Sequence, residues 1–532
     1  MIIENNIFNK IGFGFLIIVL STISLKISAQ EATPFFRSFL DGNLDNVEFP
    51  GPTPSGVTRT NQAILVENLG LRLTNKKTEV GAFYLSDYSM KTDEGLRIEF
   101  EYMMYGNAEI TDGICMFLVV DKPQYTGNNL KFAAEGAGFG YTYSWSLTGA
   151  SNTPYRKMGI KGGYLAVALD QGNFKVLRYE GNEIRSGIPY GWVGLPARRI
   201  TSMKEEENNT ASNITIRGAA AQQSQYVSSY FGTLQEGYWG YPVLATRHTG
   251  GSGMDTQGLR NKVGFIMNTS TGEFEQHVEP TIAQPFDIAS QKTFKDSDDS
   301  AYRKAILTME PNEVDGGFLV TVAIQHGKDK TIVIEKFTYP STVRVLENQV
   351  YVGTNGGWPT FPNTTPGYSY TVPTPDNLVI GFASSTGKYD YTNVIKNLRI
   401  TPFYGAQTED DIIEHRRGPV TVLPLENDWG YVKEGGEISE GKENLDPNSF
   451  RFWEDEYKVC DDKFAYVDPL GKGKWSYNPA TAEVVCEPRK GFTGEVSIYY
   501  DISSKLGLFS ASRFRSSLAK IVVKFGENPP KP

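Results

Sequence analysis

Few of the 532 residues that could carry acid–base or metal chemistry fall into a reactive pattern. Glu99 and Glu101 in IEFEYM sit two apart on an alternating stretch, which places both on the wet face of a strand. His248, His277, His326 and His415 have no Ser or Cys elbow of a recognisable type beside them. No CxxC or Cys/His cluster shows zinc spacing. What remains is a set of polar and glycine residues at the ends of apolar runs. Asp112 stands in TDG ahead of ICMFLVV, and Gly136 and Gly138 lie in EGAGFGY. Asp170 and Asn173 close GGYLAVALDQGNF, and Tyr389 and Asp390 lie in SSTGKYDYTN. A carboxylate just before a fully buried strand needs partners, which a ligand or loop amides can supply. The glycines read equally as a turn that needs positive φ. Aspartate and asparagine at close spacing are the hard oxygen donors that calcium takes.

The elements that must position these residues are strands. In LRIEFEYM the residues Leu96, Ile98, Phe100 and Tyr102 alternate with Arg97, Glu99 and Glu101. GGFLVTVAI and TIVIEKFTY read as a hairpin around QHGKDK. By contrast ICMFLVV, GYLAVAL and NLVIGFA are continuous apolar runs, as expected of strands covered on both faces. With 54 glycines, 12% aromatic residues and no long amphipathic helix, the chain is expected to be all-β and sandwich-like. The formal charge of −9, without a basic stripe, argues against a nucleic-acid partner.

The order of acidic turn, buried strand, glycine-rich turn and second buried strand ending in Asp-x-x-Asn resembles the legume-type (L-type) lectins. That resemblance implies a concanavalin A-like jelly-roll sandwich over residues 30–403 that binds glycans or glycoproteins without catalysis. It implies ligand contacts at Asp112, Gly136 or Gly138, and Asn173, with Tyr389 and Asp390 in the loop that sets specificity. Asp170 and Asn173 match the family's calcium loop. Two departures weigh against a transition metal: Ala168 stands where the family has a second acid, and Asn261 and Lys262 where it has a histidine. Calcium alone, or a metal-free loop, is therefore expected. Glucanases share this sandwich, but the laminarinase-like Glu-x-Asp-x-(x)-Glu pattern is absent. Besides glycan binding, two alternatives stay open: a structural adhesin holding protein partners on a lectin scaffold, and a divergent glycoside hydrolase.

The remaining segments complete the organisation. Residues 1–29 combine Lys10, an apolar run and the small residue Ala29, as in an export signal, so a secreted or cell-surface protein without a membrane span in the mature chain is expected. Residues 404–419 read as a linker. From residue 420 to 525, NPATAEVVCEPRKGFTGEVSIYY resembles CshA-type and related immunoglobulin-like repeats of bacterial surface adhesins. The resemblance implies a second, smaller sandwich that acts as a spacer, followed by a tail at 526–532. Cys460 and Cys486 flank a strand-rich stretch and are expected to pair, whereas Cys115 reads as a buried small hydrophobe.

Overall fold

The computed structural model describes residues 34–526, apart from several internal segments, of which the largest are 172–211, 222–238, 250–262, 346–352, 361–367 and 506–513. The expected export signal, Gly136, Asn173 and the tail from 527 lie outside the described residues. Within them the chain is all-β, and its helical content is single 3-10 turns such as Gly127–Asn129 and Pro424–Glu426. No described helix is long and apolar enough to cross a membrane.

Two large sheets form the first unit. One has eight strands, with Leu96–Gly106 between Arg303–Pro311 and Tyr391–Pro402; the other has ten, with Gly113–Val120 between Gly163–Asp170 and Asn377–Ser385. The period-two residues Leu96, Ile98, Phe100 and Tyr102 of the first sheet meet Ile114, Met116, Leu118 and Leu165 of the second in one core. This is the expected sandwich, and the expected hairpin forms from Phe318–His326 and Asp329–Tyr339. The continuous apolar runs are covered twice. Ile114, Met116 and Leu118 face the core, while Cys115, Phe117 and Val119 face a second apolar cluster on the outside of the ten-stranded sheet.

The smaller unit is a second sandwich of two four-stranded sheets. Within 404–419, the segment expected to be a linker, Asp411–His415 is a strand running parallel beside Ala519–Phe525, so this unit begins inside that segment. Cys460 and Cys486 are corrected as well: both are buried in the core of the smaller unit, but as free thiols. The Cys460 amide donates to the Phe452 carbonyl at one sheet (3.0 Å), while Cys486 pairs with Trp475 and Val420 in the other. Packed sheets stand about 10 Å apart, and a disulfide needs Cα atoms within roughly 7 Å. Each thiol instead packs as a small apolar group.

The smaller unit also rests on the outer face of the eight-stranded sheet, and this corrects the reading of Glu99 and Glu101. Neither is on a wet face; they are 6% and 7% exposed. Glu99 is gripped by Arg97 (Nε to Oε1, 2.6 Å) and Lys304 (3.3 Å), and Glu101 by Lys396 (3.0 Å). Lys304 reaches on to Glu409 (2.8 Å) and Arg399 to Asp410 (2.6 Å), both in the segment that leads into the smaller unit. Around this charge cluster, Arg97 lies over the Trp429 ring, Phe36 meets Tyr499, and Tyr457 Oη donates to Asp41 (2.6 Å).

Candidate functional site

Antiparallel register brings the chemistry-bearing residues to one end of the ten-stranded sheet. Ser385 is paired with Gly113, Gly113 with Asp170, and Asp170 with Asn213, which makes one row across four strands. Val80 extends the row on one side and His248 on the other. Residues hundreds of positions apart thus become neighbours, and Asp112 enters this row immediately before Gly113.

Gly113 is needed there. Its φ is +131°, and a Cβ would come within 2.1 Å of the Leu169 carbonyl oxygen. This close crossing lets the Gln171 amide donate to the Asp112 carbonyl (2.9 Å). Ser385 Oγ donates to Asp112 Oδ2 (2.5 Å), and Ser384 Oγ to the Gly113 carbonyl (2.7 Å). Asp112 is only 8% exposed. Burial, joined by the nearby charge of Asp170, pushes its carboxyl up to about 6, although the Ser385 hydrogen bond and Arg59 pull the other way. Asp170 is fully buried, and Thr215 Oγ1 donates to its Oδ2 (3.4 Å) and is itself bonded to Thr246 Oγ1 (2.9 Å).

The glycine-rich turn lies on the same sheet. The Tyr141 and Thr142 amides both donate to the Gly138 carbonyl (3.0 and 3.2 Å), and the Ala133 amide donates to Gly140 (2.7 Å). Gly140 has φ +71°, and a Cβ there would sit 2.8 Å from that of Ala383, two residues before Ser385. The turn therefore packs against the sheet two residues from the row. The loop after Ser385 leans on a neighbouring turn: Thr386 Oγ1 donates to the Lys76 carbonyl, and the Lys77 amide donates to Asp390 Oδ1 (2.8 Å). Asp390 thus caps that turn, whereas Tyr389 is 47% exposed.

Sequence reasoning had missed Ser385, Thr215 and Arg59. Only Ser385 left a trace, as a hydroxyl ending an otherwise apolar run. As for calcium, the described residues supply two carboxylates, Asp112 and Asp170, against the six to eight oxygens that the ion takes. Among the described residues no group of three or more His, Cys, Asp or Glu could hold a metal. By themselves they do not fit a calcium cage.

No known protein family matches the sequence, and no curated protein does. Solved structures similar to it include the metal-free lectin I-B4 from Griffonia simplicifolia, at 12% identity and a TM-score of 0.30, covering 70% of this chain and 99% of that one. The Ca2+/Man3GlcNAc-bound exoplasmic/lumenal domain of VIP36 has 11% identity and a TM-score of 0.28, covering 69% and 88%. The potassium-bound carbohydrate recognition domain of Emp46p has 9% identity and a TM-score of 0.28, covering 69% and 95%. Such slight likenesses add nothing to the site, and the sandwich assignment rests on the sheets themselves.

Proposed function

We propose that the chain is an exported, non-catalytic glycan-binding protein whose site is the rim around Asp112. The observation that carries this reading is the Ser385–Gly113–Asp170–Asn213 row, with Asp112 and the glycine turn beside it. A neutral sugar offers vicinal hydroxyls that donate to a carboxylate and an apolar face that an aromatic ring covers. Asp112 supplies the acceptor and the exposed Tyr389 the ring. Asn173, which lies outside the described residues, belongs to the same reading as a further ligand contact. Catalysis is disfavoured on geometric grounds. Asp170 has no exposed surface, and Glu99 and Glu101 are locked in ion pairs, so none of these can flank a scissile bond.

The test is a glycan array probed with wild type and Asp112→Ala, with and without EDTA. Wild-type binding that Asp112→Ala abolishes supports the reading; wild type at background on every glycan refutes it. A second reading, a scaffold that holds protein partners, is favoured by the low exposure of Asp112 and the hydrogen bond it already accepts from Ser385. Binding to deglycosylated, protein-coated surfaces would single it out.

A further inference from the structure

At the end of the ten-stranded sheet away from Asp112 lies a cleft of about 190 Å³. The strand Gly113–Val120 separates it from the Asp112 row, roughly 23 Å at about 3.3 Å per residue. One wall is the Tyr125 ring, which lies on Gly162 so closely that a Cβ there would fall 2.5 Å from it. The facing stretch Val372–Pro375 carries two prolines, which stiffen its backbone. It is held from both ends, since the Val372 amide donates to the Ser341 carbonyl (2.6 Å) and Thr92 Oγ1 to the Pro375 carbonyl. The cleft is therefore formed before any ligand arrives.

Tyr164 also lines the cleft. A register shift leaves it between the paired positions Gly163 and Leu165, and such irregularities re-aim a side chain. Its ring packs against Tyr339 (5.1 Å) and Phe318 (6.3 Å), and the residue is only 2% exposed. Among the described residues, however, its hydroxyl has no hydrogen-bond partner. A buried hydroxyl is normally bonded, so a group that completes this one is missing from the protein itself.

Volume and charge narrow the ligand. An apolar cavity of about 150 Å³ holds one benzene ring, so this cleft has room for one ring and a small substituent. Of the described residues that line it, Lys122 and Asp376 alone are charged; both are exposed and they are opposite in sign. The cleft therefore offers no net charge to a ligand. We propose that it binds a small, uncharged, single-ring aromatic molecule bearing one hydrogen-bonding substituent, with Tyr164 Oη as the polar partner. Tyr125, Val372 and Pro373 supply apolar contact for the ring, and a tyrosine hydroxyl can donate to the substituent or accept from it. This site is separate from the rim around Asp112, and neither reading depends on the other.

The experiment is calorimetric titration of the full chain with p-cresol, toluene, benzoate and benzylamine. Wild type should bind p-cresol at least fivefold more tightly than toluene and at least tenfold more tightly than either charged probe. Tyr164→Phe keeps the ring and its packing, and should bring p-cresol to within twofold of toluene while leaving toluene unchanged. Thr374→Trp puts a large ring at an exposed lining position and should weaken p-cresol at least tenfold. Wild type that binds none of the probes, or binds a charged one as tightly as p-cresol, would overturn the inference. So would p-cresol binding left unchanged by Tyr164→Phe or, should that variant not fold, by Thr374→Trp.

Discussion

Lys304 is the cation whose removal most directly tests how the two sandwiches are joined. Its side chain is 4% exposed and its ammonium lies 2.8 Å from Glu409 and 3.3 Å from Glu99. Burial alone would lower its pKa, but Glu409 and Glu99 outweigh burial and raise it. Lys304→Met preserves the stem and deletes the charge. Removing one partner of a buried pair costs about 3–5 kcal/mol, because the other charge is left uncompensated. Glu99 keeps Arg97, and Glu409 is about one-third exposed, so the lower end, about 3 kcal/mol, is expected. The assay is urea denaturation of the full chain followed by tryptophan fluorescence, since Trp429 sits beneath Arg97 at this junction. Lys304→Met/Glu409→Gln should recover part of the loss, because it discharges the orphaned carboxylate. A single-variant loss below about 1 kcal/mol, or no recovery in the double variant, would refute the reasoning. The pH dependence has a definite sign. Burial would raise the Glu99 carboxyl, but Arg97, Lys304 and Arg399 hold it well below its ordinary 4.5. Its contribution is therefore present above that value and lost as the pH falls below it.

Asp112 should show the opposite sign. With its carboxyl raised from 3.8 to about 6, the folded state binds the proton more tightly, so stability falls as pH rises between those values. Asp112→Asn should remove a difference of roughly 2.4 kcal/mol between pH 4 and pH 8 in denaturation curves, and a slope equal to wild type would contradict this. Burial pushes the Cys460 and Cys486 thiols up to about 12, so neither should react with a thiol reagent in the native protein at pH 8. Three thiols should titrate in denaturant without reductant, and a count of one would restore the disulfide. Gly113→Ala drives a Cβ onto the Leu169 carbonyl and should cost about 3 kcal/mol in a thermal melt; a wild-type melting temperature would show that the crossing is not obligatory.

Much of the first sandwich was legible from local pattern. Alternation in Leu96–Tyr102 marks a strand with one face in the core, and the unbroken run Ile114–Val119 marks one with both faces covered, because side-chain direction repeats every two residues wherever the chain goes next. The polar residues worth following were also visible as chemistry ending an apolar run. Alignment was not visible. Asp112 meets Ser385, 273 positions away, only through a register that the sheet as a whole selects, so a hydroxyl with no motif of its own became a partner in the site. The wet face assigned to Glu99 and Glu101 failed for a related reason: the same alternation describes a face turned to water and a face turned to another unit's charges. The pairing of Cys460 with Cys486 failed because sequence spacing says nothing about which sheet each residue joins. Strand identity is a property of neighbours along the chain, and was settled by residue type. Burial of charge, cover over the outer sheet and the company kept by Asp112 are properties of neighbours in space, and only tertiary packing decided them.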